Sequence, residues 1–280
     1  MCVCYNGRIT KTKALIPQAD IVDLFNSPTI DANARPSGSV SHYFQVVSYG
    51  NYNIEATVED WVLTDNTESY YAATGNKGRT AALQPAFVPI MDALDAKNFD
   101  FAPFDENKDL IIDLVVFMHS GYAGELGSTD CNTGATPYMR IASHATSEDQ
   151  STAWTSKSGY VLGSYVIVSA FRGACGANIA RIGTICHEMI HPLGIPDLYD
   201  IQGPLNPTGS VGGLGNYDIM VSLDLLLRFA RQTPLTDNDD LFLFRLNNYP
   251  VKSLWAKKYA SLSRPSESLD KDPVGLGNSH

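Results

Sequence analysis

The feature that most restricts what this chain can fold into is a spacing: His187-Glu188-Met189-Ile190-His191, followed by Gly194 and Asp197. Residues four apart share one face of a helix, so a helix through this segment aims the imidazoles of His187 and His191 at one point. Zinc accepts imidazole nitrogens in tetrahedral geometry, and a catalytic zinc leaves one position for water. Glu188 stands about 100° around the helix from His187. It flanks the site without being a ligand, which is where a general base for a metal-activated water belongs. Gly194 permits a left-handed exit from the helix, and the turn brings Asp197 back as a third ligand. Asp200 is the rival for that place, although it can instead bind the backbone of its own turn as an Asx motif. The bland reading is a surface helix with two solvated histidines. It does not suit the apolar company of Ile182, Ile185, Met189 and Ile190. Pro192 is expected to kink or loosen the helix end, because it removes the bond to the Glu188 carbonyl and its ring crowds that carbonyl.

The rest of the chain reads as mixed strands and helices, an α/β or α+β domain: a twisted mixed sheet with the active-site helix packed under it. A helix is expected over residues 42–48, a turn at Gly50-Asn51 and a strand over 52–61. Residues 79–97 read as an amphipathic helix despite Pro85 and Pro89. Residues 110–118 and the stretch YVIVSAF read as buried strands, separated by a polar loop over 120–157. Asn178 is the expected N-cap of a helix running to residue 191. Together with the family resemblance described below, this implies three segments: residues 1–25 as an atypical N-terminal piece, 26–220 as the catalytic domain, and 221–280 as an atypical C-terminal segment ending in a mobile tail.

Bulk chemistry excludes some functions. The net charge is −10, whereas broad contact with nucleic acid needs basic surface. No apolar run reaches the length of a membrane span; the longest, over 110–118, is broken by Asp113. The opening MCVCYNGRITKTK has basic residues without an apolar stretch behind them and does not read as a signal peptide as written. The five cysteines are irregularly spaced, which is no disulfide framework. A Cys131–Cys175 bridge is one candidate pairing and would mark an oxidising compartment. Cys186 points off the metal face and reads as buried and inert, or as a partner for Cys175.

The segment HEMIHPLGIPDLYD resembles the M6 metallopeptidases, the immune inhibitor A-like family, which carry H-E-x-x-H-x-x-G-x-P-D-x-Y-D. DFAPFDENKDLIIDLVVFMHSGYAGE, SVSHYFQVVSYGNYNIEATVEDWV and GLGNYDIM are similar to other blocks of that family, so the resemblance covers about residues 26–220. It implies a zincin or metzincin-like domain and a secreted zinc endopeptidase acting on proteins. His187 and His191 then match the metal histidines, Glu188 the catalytic glutamate and Met220 the methionine beneath the metal. The residues after Met220 do not resemble the family's continuation.

Several other constellations carry chemistry. Asp105, Asn107, Asp109 and Asp113 place oxygen donors at alternating positions, which suits calcium, although Leu110 stands where an EF-type loop wants glycine. Tyr199 and Tyr217 are candidate donors to a tetrahedral oxyanion, set against the plainer role of packed tyrosines. His119 and His144 read as hydrogen-bonded structural histidines rather than ligands. The competing functional reading is a catalytically inactive zinc- or calcium-binding module of the same fold. A cytosolic zinc hydrolase that is not a peptidase is a third.

Overall fold

Two strands divide the interior by alternation. The computed structural model describes residues 2–6, 14–31, 35–73, 75–79, 83–146, 154–198 and 219–220. Strands β1 (Cys2–Asn6), β2 (Val62–Leu63), β4 (Val115–Tyr122), β5 (His144–Thr146) and β7 (Tyr165–Phe171) form one sheet in the order β2-β1-β4-β7-β5. The pairs β1–β2, β1–β4 and β4–β7 are parallel, and β5 joins β7 antiparallel as the edge. The sheet is therefore mixed, as expected. Its two longest strands, β4 and β7, are buried along their whole length, as centrally placed parallel strands are.

Successive side chains on a strand point to opposite faces. Val116 and Met118 on β4 and Val166 and Val168 on β7 enter a core with α1 (Gln18–Asn26), α2 (Val40–Val47) and α5 (Ile182–Ile190). Val115, Phe117, Tyr165 and Ile167 enter the opposite core with α3 (Glu68–Tyr71) and α4 (Gln84–Ala96). There Phe117 stacks on Phe87 with ring centroids 4.1 Å apart. The helices thus cover both faces, and α5 is held by a fully apolar underside of Ile182, Ile185, Cys186, Met189 and Ile190. Burying each such aliphatic side chain contributes about 1.5–3 kcal/mol. No helix among the described residues is long and apolar enough to cross a membrane.

Four expectations change in detail. The strand expected over 110–118 is two pieces. β3 (Ile111–Ile112) pairs with β6 (Val161–Leu162) in a separate ribbon, and β4 begins only at Val115. Asp113 makes the break: its amide donates to the Phe104 carbonyl and its carboxylate accepts from the Glu106 amide. The strand expected over 52–61 does not form; the short strand β2 begins only at Val62. Side-chain amides replace a strand partner there: Asn26 bonds both the amide and the carbonyl of Ala56, at 2.9 and 2.8 Å, and Gln18 donates to the Val58 carbonyl. The N-terminal piece contributes a strand and a helix, since β1 lies between β2 and β4, and Ile21, Leu24 and Phe25 of α1 are core residues. Finally, α5 starts at Ile182 rather than near Asn178. The intervening residues run extended beside the end of β7, with the Ala180 amide on the Ala170 carbonyl at 2.8 Å.

Candidate metal centre and active site

Helix α5 carries the histidines, and its termination aims them. The α-helix stops at Ile190, and His191–Leu193 tightens into one turn of 3-10 helix. Pro192 therefore does not displace His191. The Glu188 carbonyl that Pro192 cannot reach accepts the His191 amide instead. Gly194 ends the turn at φ 87°, a left-handed value that suits glycine. The chain then reverses, so that the Ile195 carbonyl accepts from His191 Nδ1 at 2.9 Å.

His187 is fixed in the same way from a distant segment: its Nδ1 lies 2.8 Å from the Ile219 carbonyl. A ring nitrogen bonded to a carbonyl carries the proton, which leaves Nε2 of each ring as the metal-facing atom. Asp197 Oδ1 lies 3.1 Å from His187 Nε2 and 3.5 Å from His191 Nε2. Donors about 2.0–2.2 Å from one tetrahedral zinc stand roughly 3.3–3.6 Å from one another. The two Asp197 distances lie near that range and all three donor atoms lie within 4.8 Å of one another, so the donor set suits such an ion. His187, His191 and Asp197 also form the one group of potential metal ligands of this kind among the described residues.

The electrostatics follow from burial. Glu188 is 6% exposed, with Oε2 3.9 Å from His191 Nε2. Burial pushes its carboxyl up to about 7, against the pull of the two histidines and with help from Glu125 and Asp197. Burial alone would lower both imidazoles, but Asp197, Glu188 and the backbone carbonyls outweigh it and raise them.

Met220 is buried in the core beneath α5, and its carbonyl accepts the Leu198 amide at 2.8 Å. Residues 219–220 therefore tie the segment carrying Asp197 to the ring of His187. The carbonyls of Ile195 and Ile219 had no signal in the sequence, because backbone acceptors are the same at every residue. Tyr199, Tyr217 and Asp200 lie outside the described residues.

Other candidate residues have local roles. In the acidic turn, Asp105 accepts from the Asp109 and Leu110 amides at 3.1 and 2.9 Å, and Asp109 accepts from the Ile111 amide at 2.8 Å. Asn107 donates to Asp109 at 2.7 Å, and Leu110 takes φ 68°. Its own amides close this turn. His119, deep in β4, pairs with Glu68 at 3.6 Å. His144 Nδ1 lies 2.9 Å from the Ala142 carbonyl, and burial lowers its pKa. Cys131 and Cys175 form a disulfide, while Cys186 is a free, buried thiol that burial pushes well above its ordinary pKa.

Against known families the chain matches the description "Immune inhibitor A peptidase M6, catalytic domain" over residues 22–224. Among characterised proteins it is 28% identical over 184 residues to Immune inhibitor A of Bacillus thuringiensis subsp. alesti. That match covers 56% of this chain and 25% of the relative, so the chain spans about a quarter of that protein's length. The family match spans well over half of the chain and contains the candidate ligands His187, His191 and Asp197, and on the ground of that match the chain belongs to the immune inhibitor A M6 peptidase family.

Proposed function

We propose that this chain is a zinc-dependent endopeptidase in which His187, His191 and Asp197 hold the metal and Glu188 is the general base. The observation that carries the reading is the convergence of Asp197 Oδ1 on both imidazole Nε2 atoms at 3.1 and 3.5 Å. Two imidazoles and one carboxylate suit zinc. When bound, the metal supplies Lewis acidity that acidifies a water molecule and polarises the scissile carbonyl. Glu188, buried beside the two imidazoles, takes the proton of that water and passes it to the leaving amine nitrogen. The carbonyls of Ile219 and Ile195 keep the two rings in the tautomer that faces the metal.

Peptide docking falls to β5. It is the edge of the sheet, packs against α5 and the His191 turn, and has no further strand on its outer side among the described residues. An extended substrate can add there as another strand, with backbone hydrogen bonds supplying affinity for proteins in general.

The Cys131–Cys175 bridge supports an oxidising, extracellular setting. The turn at Asp105, Asn107, Asp109 and Asp113 is offered as a calcium site on its alternating oxygen donors. A rise in melting temperature with millimolar calcium is its test, and an unchanged curve removes it.

The deciding experiment for the main proposal is casein cleavage by purified chain, after chelation and after zinc is restored, with metal content measured on the same samples. We expect cleavage to vanish and return with zinc. Stoichiometric zinc without any cleavage would favour an inactive metal-binding module instead.

A further inference from the structure

The segment 140–143 leads into β5, and separate elements hold its backbone. The Ile141 amide donates to Glu68 Oε1 at 3.1 Å, and the Ile141 carbonyl accepts the Gly124 amide at 2.8 Å. The Ala142 amide donates to the Lys77 carbonyl at 2.9 Å. Ser143, the last residue before the strand, is gripped twice by one side chain. Its amide donates to Glu125 Oε2 at 3.0 Å and its hydroxyl to Glu125 Oε1 at 2.7 Å.

Close approach is built into the arrangement. A Cβ on Gly124 would stand 2.7 Å from the Arg140 carbonyl, and one on Gly121 would run into the Glu68 carboxylate. Arg140 is fully buried and donates to the Ser128 carbonyl, with Glu68, Asp130 and Glu125 acting electrostatically on its guanidinium. That cation offsets the cost of keeping carboxylates in a half-buried place. Hydrogen bonds to an ionised acceptor are about twice as strong as neutral ones. Glu125 is also close enough to Glu188 for its charge to be felt there.

We propose that Glu125 is a positioning residue for the substrate: by holding the amide and hydroxyl of Ser143, it fixes where β5 begins relative to α5. This sets the distance between a peptide laid along the outer edge of β5 and the carboxylate of Glu188. The proposal rests on the peptidase reading and on β5 as the docking strand. Nothing in the H-E-x-x-H motif requires it, because Glu125 lies far from that motif in the chain, on the 3-10 turn Gly124–Leu126.

The test compares Glu125→Ala and Glu125→Gln in the full chain, after zinc content and melting temperature are measured. Glutamine keeps an acceptor for the Ser143 amide and offers a donor to the hydroxyl oxygen, so it should hold the strand. For an extended casein-derived peptide, Glu125→Ala should raise KM about tenfold, the scale of one net hydrogen bond, with kcat within about threefold of wild type. Glu125→Gln should stay within about threefold in both constants. Amide exchange at residues 143–146 should quicken by about tenfold or more in Glu125→Ala, while β7 keeps its protection. Should Glu125→Ala not fold, Ser143→Ala removes the hydroxyl arm and should raise KM about threefold.

Unchanged KM and unchanged exchange in Glu125→Ala, or in Ser143→Ala if it replaces it, would overturn the proposal. A fall in kcat at constant KM in both Glu125 variants would overturn it too, since that pattern marks a charge acting on Glu188 rather than a placed strand. If zinc-loaded wild type cleaves nothing, the peptidase reading fails, and the exchange measurement still decides the role of Glu125.

Discussion

Glu188 and Asp197 sit within a few ångströms of the same two imidazoles, yet their loss should have opposite signatures. Glu188→Gln keeps shape and removes the base. Zinc should stay bound, and hydrolysis should fall by at least a few hundred-fold, about the scale of a lost general base. Retained turnover would remove the role given to Glu188. Asp197→Ala opens a coordination position, so the folded protein should emerge from dialysis with little zinc. Asp200→Ala should keep its metal; if the two aspartate variants behave the other way round, Asp200 is the ligand. The distinction was partly legible in the sequence. Spacing after Gly194 favoured Asp197, and the left-handed φ of Gly194 is the backbone event that turns its carboxylate toward Nε2 of both rings. The Nδ1 partners, Ile195 and Ile219, were not legible, because a carbonyl has no residue type.

At the scale of elements, side-chain polar groups decided where strands stop. Asn26 satisfies both backbone groups of Ala56 and so holds in place a stretch whose composition reads as strand. Asn26→Ala leaves those groups without their partner and should cost about 1–3 kcal/mol. A melting temperature equal to wild type would show that water replaces the contact at no cost. The disulfide acts on loops rather than strands. It joins residues 44 apart, alongside a hydrogen bond from the Cys131 amide to the Ala174 carbonyl, while the Tyr122 hydroxyl bonds Asn132 and Gly176 on the same two loops. Cross-linking a loop of that length restricts the unfolded chain, so a Cys131→Ser, Cys175→Ser double variant should lose about 2–5 kcal/mol. Denaturant titration of the oxidised protein against the double variant measures it, and coincident curves would mean that the bridge contributes nothing to stability.

For the molecule as a whole, the cluster of Glu188, His187 and His191 links stability to pH. In the metal-free protein the pKa of Glu188 is raised by burial to about 7, and those of His187 and His191 are raised by their acidic and carbonyl neighbours despite burial. A folded-state pKa above the unfolded one means that the native state holds more protons. For Glu188 the contribution is fully present below its unfolded value of 4.5 and is lost as pH rises through about 7. For the histidines it is present below 6.5 and lost above. Chelated protein should therefore lose stability between about pH 5 and 8, and the loss should be smaller in Glu188→Gln. Zinc needs deprotonated ligands, so its stabilising effect should grow over the same range. Melting curves with chelator and with zinc, across that range, test both statements. A chelated wild type whose pH dependence matches that of Glu188→Gln would remove Glu188 from the linkage.

The sequence by itself determined which side chains converge as potential metal ligands, which face of α5 they share, and that buried strands such as Tyr165–Phe171 form a sheet beneath it. Periodicity and motif spacing are local properties, set within one or two helical turns or one strand, so they survive in the primary structure. Tertiary structure decided what depends on distant contacts. The ring of His187 takes its tautomer from Ile219, 32 residues away. The strand over 110–118 divides at Asp113 because the amide of that residue is bonded to the Phe104 carbonyl. The start of β5 is held by carboxylates from two other elements, Glu68 and Glu125. Each of these is a hydrogen bond between groups that the chain brings together only by folding, and a buried polar group costs free energy until it finds such a partner.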